Sequence, residues 1–381
     1  MLILADENIP FVRDAFGSLG DVRLMSGRAM NAAAVRDAEL LLVRSITRVD
    51  RALLEGSRVR FVATATIGTD HVDEAWLREA GITFSAAPGS NANSVGEYMV
   101  CALLTLAARQ GRPLAGRSIG IVGVGNVGTR VEAKCRALGM KVLLNDPPLQ
   151  RRTGDPKYRP LDELLSCDFI TLHTPLEKDG QDPTWHLADN NFISRMRPDA
   201  VLCNASRGDV TDGKTLLAAL RSRRIAGAVL DVWEGEPAID PALLARVDLA
   251  TPHIAGYSYD GKVNGTEMIY RAACAHLKTE PRWDRAACMP APAIPELTLD
   301  AAGRPDEDVL RDAALRLYPI HRDDEALRKL AALPADKQGA YFDKLRKDYP
   351  VRREFQNTRL TLTGATPALT AKAAGIGFLT A

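Results

Sequence analysis

Ile121-Val122-Gly123-Val124-Gly125-Asn126-Val127-Gly128 passes from an apolar run at 119–122 into a helical stretch at 129–138. In a strand–turn–helix of this kind the first glycine permits the tight turn. The second lets the backbone approach a pyrophosphate, and the third lets helix and strand pack closely. The N-terminus of the helix then favours phosphate charge. A glycine motif alone is common, and the strand before it, the helix after it and an acid at the end of the next apolar run, Asp146, give this one its context. A carboxylate there accepts bonds from an adenosine ribose and repels a 2′-phosphate, which favours NAD over NADP. The competing reading is that Asp146 caps the turn into Pro147-Pro148. The cofactor contacts expected from the motif are Gly123, Gly125, Asn126, Val127, Gly128 and Asp146.

Working outward, apolar runs at 119–122, 141–145, 169–173, 201–204, 225–230 and 248–251 alternate with amphipathic stretches, the pattern of a parallel sheet covered on both faces. A similar series precedes it, with runs at 2–5, 40–43, 61–65 and 82–85. The proline-free segment 94–109 reads as a helix leading out of the first series, and 260–278 as a helix able to return the chain to it, which would make the first domain discontinuous. Beyond Pro281, prolines 290, 292 and 295 mark a linker, and 306–349 carries charged helical patterns before a last strand-like run at 359–363. A separate C-terminal domain is expected there, with an assembly role.

The chain has 381 residues, enough for two or three domains, and its 49 Lys and Arg nearly balance 48 Asp and Glu. No global basic field points to nucleic acid or to a membrane surface, and no membrane span is evident. The chain opens on a strand-like run and not on a leader, and its six cysteines show no C-x-x-C pair. A cytoplasmic protein with reduced thiols and no metal site is expected.

Three residues supply chemistry. Taking a hydride from a secondary alcohol requires a base for the hydroxyl proton, and His253, in Thr251-Pro252-His253-Ile254-Ala255-Gly256, is the candidate. Glu236 would fix the imidazole's tautomer and stabilise its charged form. Arg207, in Asn204-Ala205-Ser206-Arg207-Gly208, offers a fork for a substrate carboxylate and countercharge for a reacting carbonyl oxygen. Each follows an apolar run, and in parallel sheets ligands bind beyond the carboxyl ends of the strands. Asp231, directly after the run at 225–230, is placed to approach a nicotinamide carboxamide, with a capping or turn role as the alternative.

With these residues in hand, the chain over 1–280 resembles the D-isomer-specific 2-hydroxyacid dehydrogenases. The phrases that carry the likeness include Asp6-Glu7-Asn8, Val43-Arg44-Ser45, Gly68-Thr69-Asp70-His71, Ser85-Ala86-Ala87-Pro88-Gly89 and Asp146-Pro147-Pro148. Asp231-Val232-Trp233-Glu234-Gly235-Glu236-Pro237 and His253-Ile254-Ala255-Gly256-Tyr257 complete it. The resemblance implies an α/β chain with a Rossmann-type NAD domain, 99–256, inserted in a flavodoxin-like substrate domain, 1–98 with 257–285. It also implies a small C-terminal α/β dimerisation domain, 286–381, and hence a homodimer. It makes Arg207, Glu236 and His253 the catalytic set, and adds Thr174, Asp231 and Gly256 at NAD and Ser45, Thr66 and Tyr257 at a small phosphorylated hydroxy acid. Arg44 stands beside Ser45 as a further donor for the polar end of that substrate. The catalytic triplet does not distinguish one 2-hydroxy acid from another, 3-phosphoglycerate among them. A non-catalytic NAD-sensing protein is a rival that the intact triplet argues against. His71 is expected to pack a helix start.

Overall fold

The computed structural model describes residues 1–380 and divides into two compact units, 1–91 with 258–291 and 92–257 with 292–381. In the first unit five parallel strands, β1 (Leu2–Asp6), β2 (Asp21–Met25), β3 (Leu40–Val43), β4 (Phe61–Thr64) and β5 (Thr83–Ser85), lie in the order β2-β1-β3-β4-β5. This is the flavodoxin-like order. The runs β3 and β4 are buried on both faces, as their unbroken apolar sequences require. β2 escapes sequence reading because DVRLM alternates charge with apolar residues on an edge, with mainly Val22 turned into the core. The returning helix Tyr259–His276 sets Ile269, Tyr270, Ala273 and Cys274 among Ile3, Phe16 and Phe61.

The second unit holds β6 (Ser118–Val122), β7 (Lys141–Asn145), β8 (Phe169–Leu172), β9 (Val201–Asn204), β10 (Gly227–Leu230) and β11 (Leu249–Ala250), all parallel, in the order β7-β6-β8-β9-β10-β11. An isolated parallel bridge from Leu144 to Tyr158 continues the sheet past β7. The direction of winding reverses between β6 and β8, and the glycine loop follows β6 at that switch point. The helix Ala92–Gln110 packs along this sheet from Val95 to Ala107, with Ile119 and Ile121 in the same core. The unit boundary therefore falls at 91/92, before the helix, where sequence reading places it at 98/99 inside it.

Residues 292–381 carry the small C-terminal domain, matching the expectation, and they pack on the second unit as part of one compact body. Their strands β12 (Glu296–Asp300), β13 (Arg359–Thr363) and β14 (Leu379–Thr380) form a parallel three-stranded sheet. Their helices are spent on the second unit. β11 is the last strand of its sheet, and its outer backbone needs partners. Helix Ile320–Arg328 lies along it: Asp324 Oδ1 accepts from the Ala250 amide at 2.8 Å, and Arg328 donates at 2.9 Å each to the carbonyls of Leu244 and Val247 in the helix and turn that lead into β11. A second tie is buried. Arg352 donates to Glu97 at 3.2 Å and to Ser94 Oγ at 2.7 Å, and burial together with the charge of Glu354 pushes the Glu97 carboxyl up to about 8 despite Arg352 and Lys134.

Candidate active site

The glycine loop has the geometry its spacing predicts. Gly123 has φ of 86°, which a side chain would strain, and a Cβ there would lie 2.7 Å from the His173 carbonyl oxygen. A Cβ on Gly128 would overlap the Gly123 carbonyl oxygen, so the helix Asn126–Ala137 can approach the strand only through glycine. Gly125 caps that helix with no side-chain hydrogen bond and meets open space where a Cβ would be. The first amides of the helix thus face an open position, next to exposed Asn126 and part-buried Val127.

Asp146 directly follows β7 and does two local jobs. Its Oδ2 accepts from the Val124 amide in the glycine loop at 2.8 Å, and its Oδ1 caps the following helix through the Leu149 amide at 2.9 Å. The capping alternative is therefore realised, and the same carboxylate is bound to the glycine loop. Beyond β8, Thr174 Oγ1 and His173 Nδ1 are buried without hydrogen-bond partners. Burial pushes the His173 imidazole down to about 3, so it is neutral. An open helix N-terminus, a glycine cradle and orphaned donors around one switch point fit a dinucleotide.

Arg207 follows β9 on a loop built by Asn204. The Asn204 side chain accepts from the amide and hydroxyl of Ser206 at 3.0 and 2.8 Å and donates to the Arg207 carbonyl at 2.9 Å. Gly208 then lets this loop touch the one after β10: a Cβ would overlap the Trp233 carbonyl. Replacing Gly208 with alanine is expected to destabilise the protein by about 3 kcal/mol or more, because backbone and not a flexible side chain must yield. Thermal unfolding of the variant should fall by several degrees. An unchanged melting temperature would show that the two loops are not locked together.

The two carboxylates around His253 are separated by environment. Glu236 Oε2 meets His253 Nδ1 at 2.8 Å, while its Oε1 accepts from the Trp233 amide at 2.7 Å. Burial works to raise the Glu236 carboxyl, but the field and hydrogen bond of His253, the Trp233 amide and Arg346 together hold it below the ordinary carboxylate range. Asp231 is fully buried, and its oxygens accept from Thr251 Oγ1 at 2.7 Å and from the Ile254 and Ala255 amides at 2.8 and 3.0 Å. Burial raises its carboxyl in spite of those bonds and of His253. Asp231 is thus the anchor of the 251–255 loop, a turn role. Together with the His253 amide donating to its carbonyl at 2.6 Å, it holds His253 in a left-handed conformation, φ 57°. Ser94 Oγ donates to the Ala255 carbonyl at 2.7 Å, linking this loop to the buried Arg352 cluster. Gly256 and Tyr257 follow directly, Tyr257 edge-on to Tyr349 at 5.9 Å.

In the first unit Ser45 is exposed just beyond β3, next to half-buried Arg44, and Thr66 lies just past β4. Thr66 Oγ1 and His71 Nε2 both meet Thr64 Oγ1, at 2.7 and 3.1 Å, so His71 belongs to the Thr66 network as well as to its own turn. Sequence reading missed Arg346, Tyr349, Ser94 and His173. The first two lie in a charged helical stretch that reads as a solvated face, and no local signal places it near residue 257.

These features define an NAD-binding oxidoreductase unit with a histidine–glutamate pair and an arginine at the carboxyl ends of neighbouring strands. A family model for the D-isomer specific 2-hydroxyacid dehydrogenase, NAD binding domain, matches residues 99–255, and one described as Domain of unknown function (DUF3410) matches 288–377. Proteins called erythronate-4-phosphate dehydrogenase from Salmonella typhimurium and Citrobacter koseri are 47% and 46% identical over 369 residues, covering 97% of this chain and 96% of theirs. Among solved structures, D-lactate dehydrogenase from Aquifex aeolicus, complexed with NAD and lactic acid, is 27% identical with a TM-score of 0.60. It covers 72% of this chain and 95% of that one. The TT0316 protein from Thermus thermophilus is 26% identical with a TM-score of 0.63, covering 74% and 98%. The chain belongs to the D-isomer-specific 2-hydroxyacid dehydrogenase family, within the branch of the erythronate-4-phosphate dehydrogenases.

Proposed function

We propose that this protein oxidises 4-phospho-D-erythronate to 2-oxo-3-hydroxy-4-phosphobutanoate with NAD, in the synthesis of vitamin B6, as a homodimer in the cytoplasm. The observation that carries the reading is the 2.8 Å contact of His253 Nδ1 with Glu236, which leaves Nε2 for a substrate hydroxyl, on loops locked to that of Arg207 by Gly208. NAD, when held by Gly123, Gly125, Asn126, Val127, Gly128, Asp146, Thr174 and Gly256, supplies the hydride acceptor. His253 Nε2 takes the proton of the C2 hydroxyl, and Glu236 stabilises the imidazolium that results. Arg207 holds the carboxylate beside C2 and offsets charge on the forming carbonyl oxygen. Asp231 acts by holding the loop that aims His253. Tyr257 is assigned to the substrate, and Ser45, Thr66 and Arg44 of the first unit to its polar end.

Among the described residues no helix is long and apolar enough to cross a membrane. Val351 and Leu379, exposed apolar residues of the tail, favour the dimer. Sedimentation at the single-chain mass of 41.3 kDa would remove the dimer from the proposal. NADH formation should favour 4-phospho-D-erythronate over D-erythronate by roughly 100-fold in kcat/KM, because a site built for a phosphate is left with unpaired donors by the unphosphorylated acid. A preference for 3-phosphoglycerate would replace the substrate, and NADH binding without turnover on any of the three acids would favour the sensing role.

A further inference from the structure

The tail brings a cation to the catalytic loops. Helix Ala335–Lys347 is seated by Phe342, which is fully buried in the core that holds Trp233, Ile239 and Leu243. A Cβ on Gly339 would lie 3.4 Å from the ring of Pro237, so the helix backbone passes close to the residue after Glu236. One turn beyond Phe342, and on the same helix face, stands Arg346. Its guanidinium lies 5.9 Å from the centre of the Tyr257 ring, whose edge is packed on Tyr349.

Other tail arginines show what a structural guanidinium looks like in this protein. Arg328 donates through Nε to Asp324 and through its two terminal nitrogens to the carbonyls of Leu244 and Val247. Arg352 reaches Glu97 and Ser94 with its terminal nitrogens and stacks on Tyr318 at 4.0 Å. Arg346 Nε, like that of Arg352, is buried without a hydrogen-bond partner, and what distinguishes Arg346 is its place beside Tyr257. Burial opposes its charge, yet Tyr257, through its field and a side-chain hydrogen bond, together with Glu236 and Asp343 keeps the guanidinium protonated. The guanidinium is thus held in place as a cation while its Nε donor stays open to an incoming anion.

We propose that Arg346 is a substrate-binding residue that takes the phosphate of the hydroxy acid beside Tyr257, so that the C-terminal domain completes the active site of its own chain. This rests on the reading of the substrate given above. Arg207 is committed to the carboxylate at the reacting carbon, and a phosphate monoester carries close to two negative charges, more than Arg44 alone offsets beside the hydroxyls of Ser45, Thr66 and Tyr257. A guanidinium matches two phosphate oxygens at once. The domain of unknown function matched over 288–377 thereby gains a role in recognition as well as in covering β11.

The test uses the full-length protein and compares wild type with Arg346→Gln and Arg346→Lys. The first readout is the ratio of kcat/KM for 4-phospho-D-erythronate to that for D-erythronate. The second is the affinity of the NADH-loaded protein for inorganic phosphate, by calorimetry, with NADH affinity and melting temperature as controls for folding. Arg346→Gln should lower the ratio and weaken phosphate binding by about 10-fold or more, and Arg346→Lys should recover part of both. Equal losses on the two acids would show that Arg346 acts through Glu236 or the fold and would overturn the proposal, as would unchanged phosphate affinity. If wild type turns over neither acid, the substrate reading fails while phosphate binding still decides Arg346: weaker binding in Arg346→Gln sustains an anion site, and wild-type protein that binds no phosphate overturns it.

Discussion

Replacing His253 with alanine should lower kcat by about 1,000-fold, within the roughly 10²–10⁴ expected for loss of a general base, while the affinity for NADH stays within about twofold of wild type. The split follows from where the residue sits. His253 is on the loop after β11, and the glycine loop that would hold the dinucleotide is built after β6 from Gly123, Gly125 and Gly128 with no contribution from the imidazole. The Glu236 carboxyl is held below its ordinary range, so it remains ionised wherever the imidazole is to accept a proton near neutrality. Glu236→Gln should accordingly cost less than His253→Ala, since it removes orientation and countercharge but leaves the base. Steady-state rates and NADH titration of the two variants measure both effects. Full turnover by His253→Ala would end the assignment of the base.

Arg207→Gln should reduce kcat/KM for the hydroxy acid by roughly 100- to 10,000-fold, the sum of two charge-assisted hydrogen bonds worth about 1.5–3 kcal/mol each. The informative comparison is Arg207→Lys. The loop that carries Arg207 is fixed on one side by Asn204, through the Arg207 carbonyl and Ser206, and on the other by the contact of Gly208 with Trp233. Arg207 itself is tethered by a 2.8 Å bond from Nη1 to the Ser206 carbonyl. A guanidinium so fixed presents a planar fork, and a lysine in its place offers a point charge that does not span two carboxylate oxygens. Arg207→Lys is therefore expected to recover no more than about a tenth of wild-type kcat/KM. A lysine variant equal to wild type would mean that charge alone matters there and that the clamp geometry is wrong.

Much of the second unit was legible from local chemistry. Its six strands are short apolar runs bounded by turns, and the glycine loop states its own geometry, since only glycine tolerates φ of 86° at 123 and a neighbouring carbonyl at 128. The triplet was legible because each member follows a strand. Edge elements were not. β2 and β12 have one buried face each, and DVRLM and ELTLD carry too few apolar residues to announce a strand. Asp146 and Asp231 were recognised as acids at strand ends. Their partners were hidden, because Val124 and Ala255 donate through backbone amides, which leave no trace in residue identity.

From the order of residues alone came two parallel α/β series, a dinucleotide loop, and an imidazole, a carboxylate and a guanidinium beyond strand ends, because these follow from periodicity, glycine sterics and side-chain chemistry within short windows. Tertiary structure alone decided that the tail joins the second unit, that Asp324 partners the edge of β11 while Arg328 ties down the turn before it, and that Arg346 stands beside Tyr257. Those contacts join residues far apart along the chain, and their energy comes from satisfying buried backbone and charge, which no local pattern records.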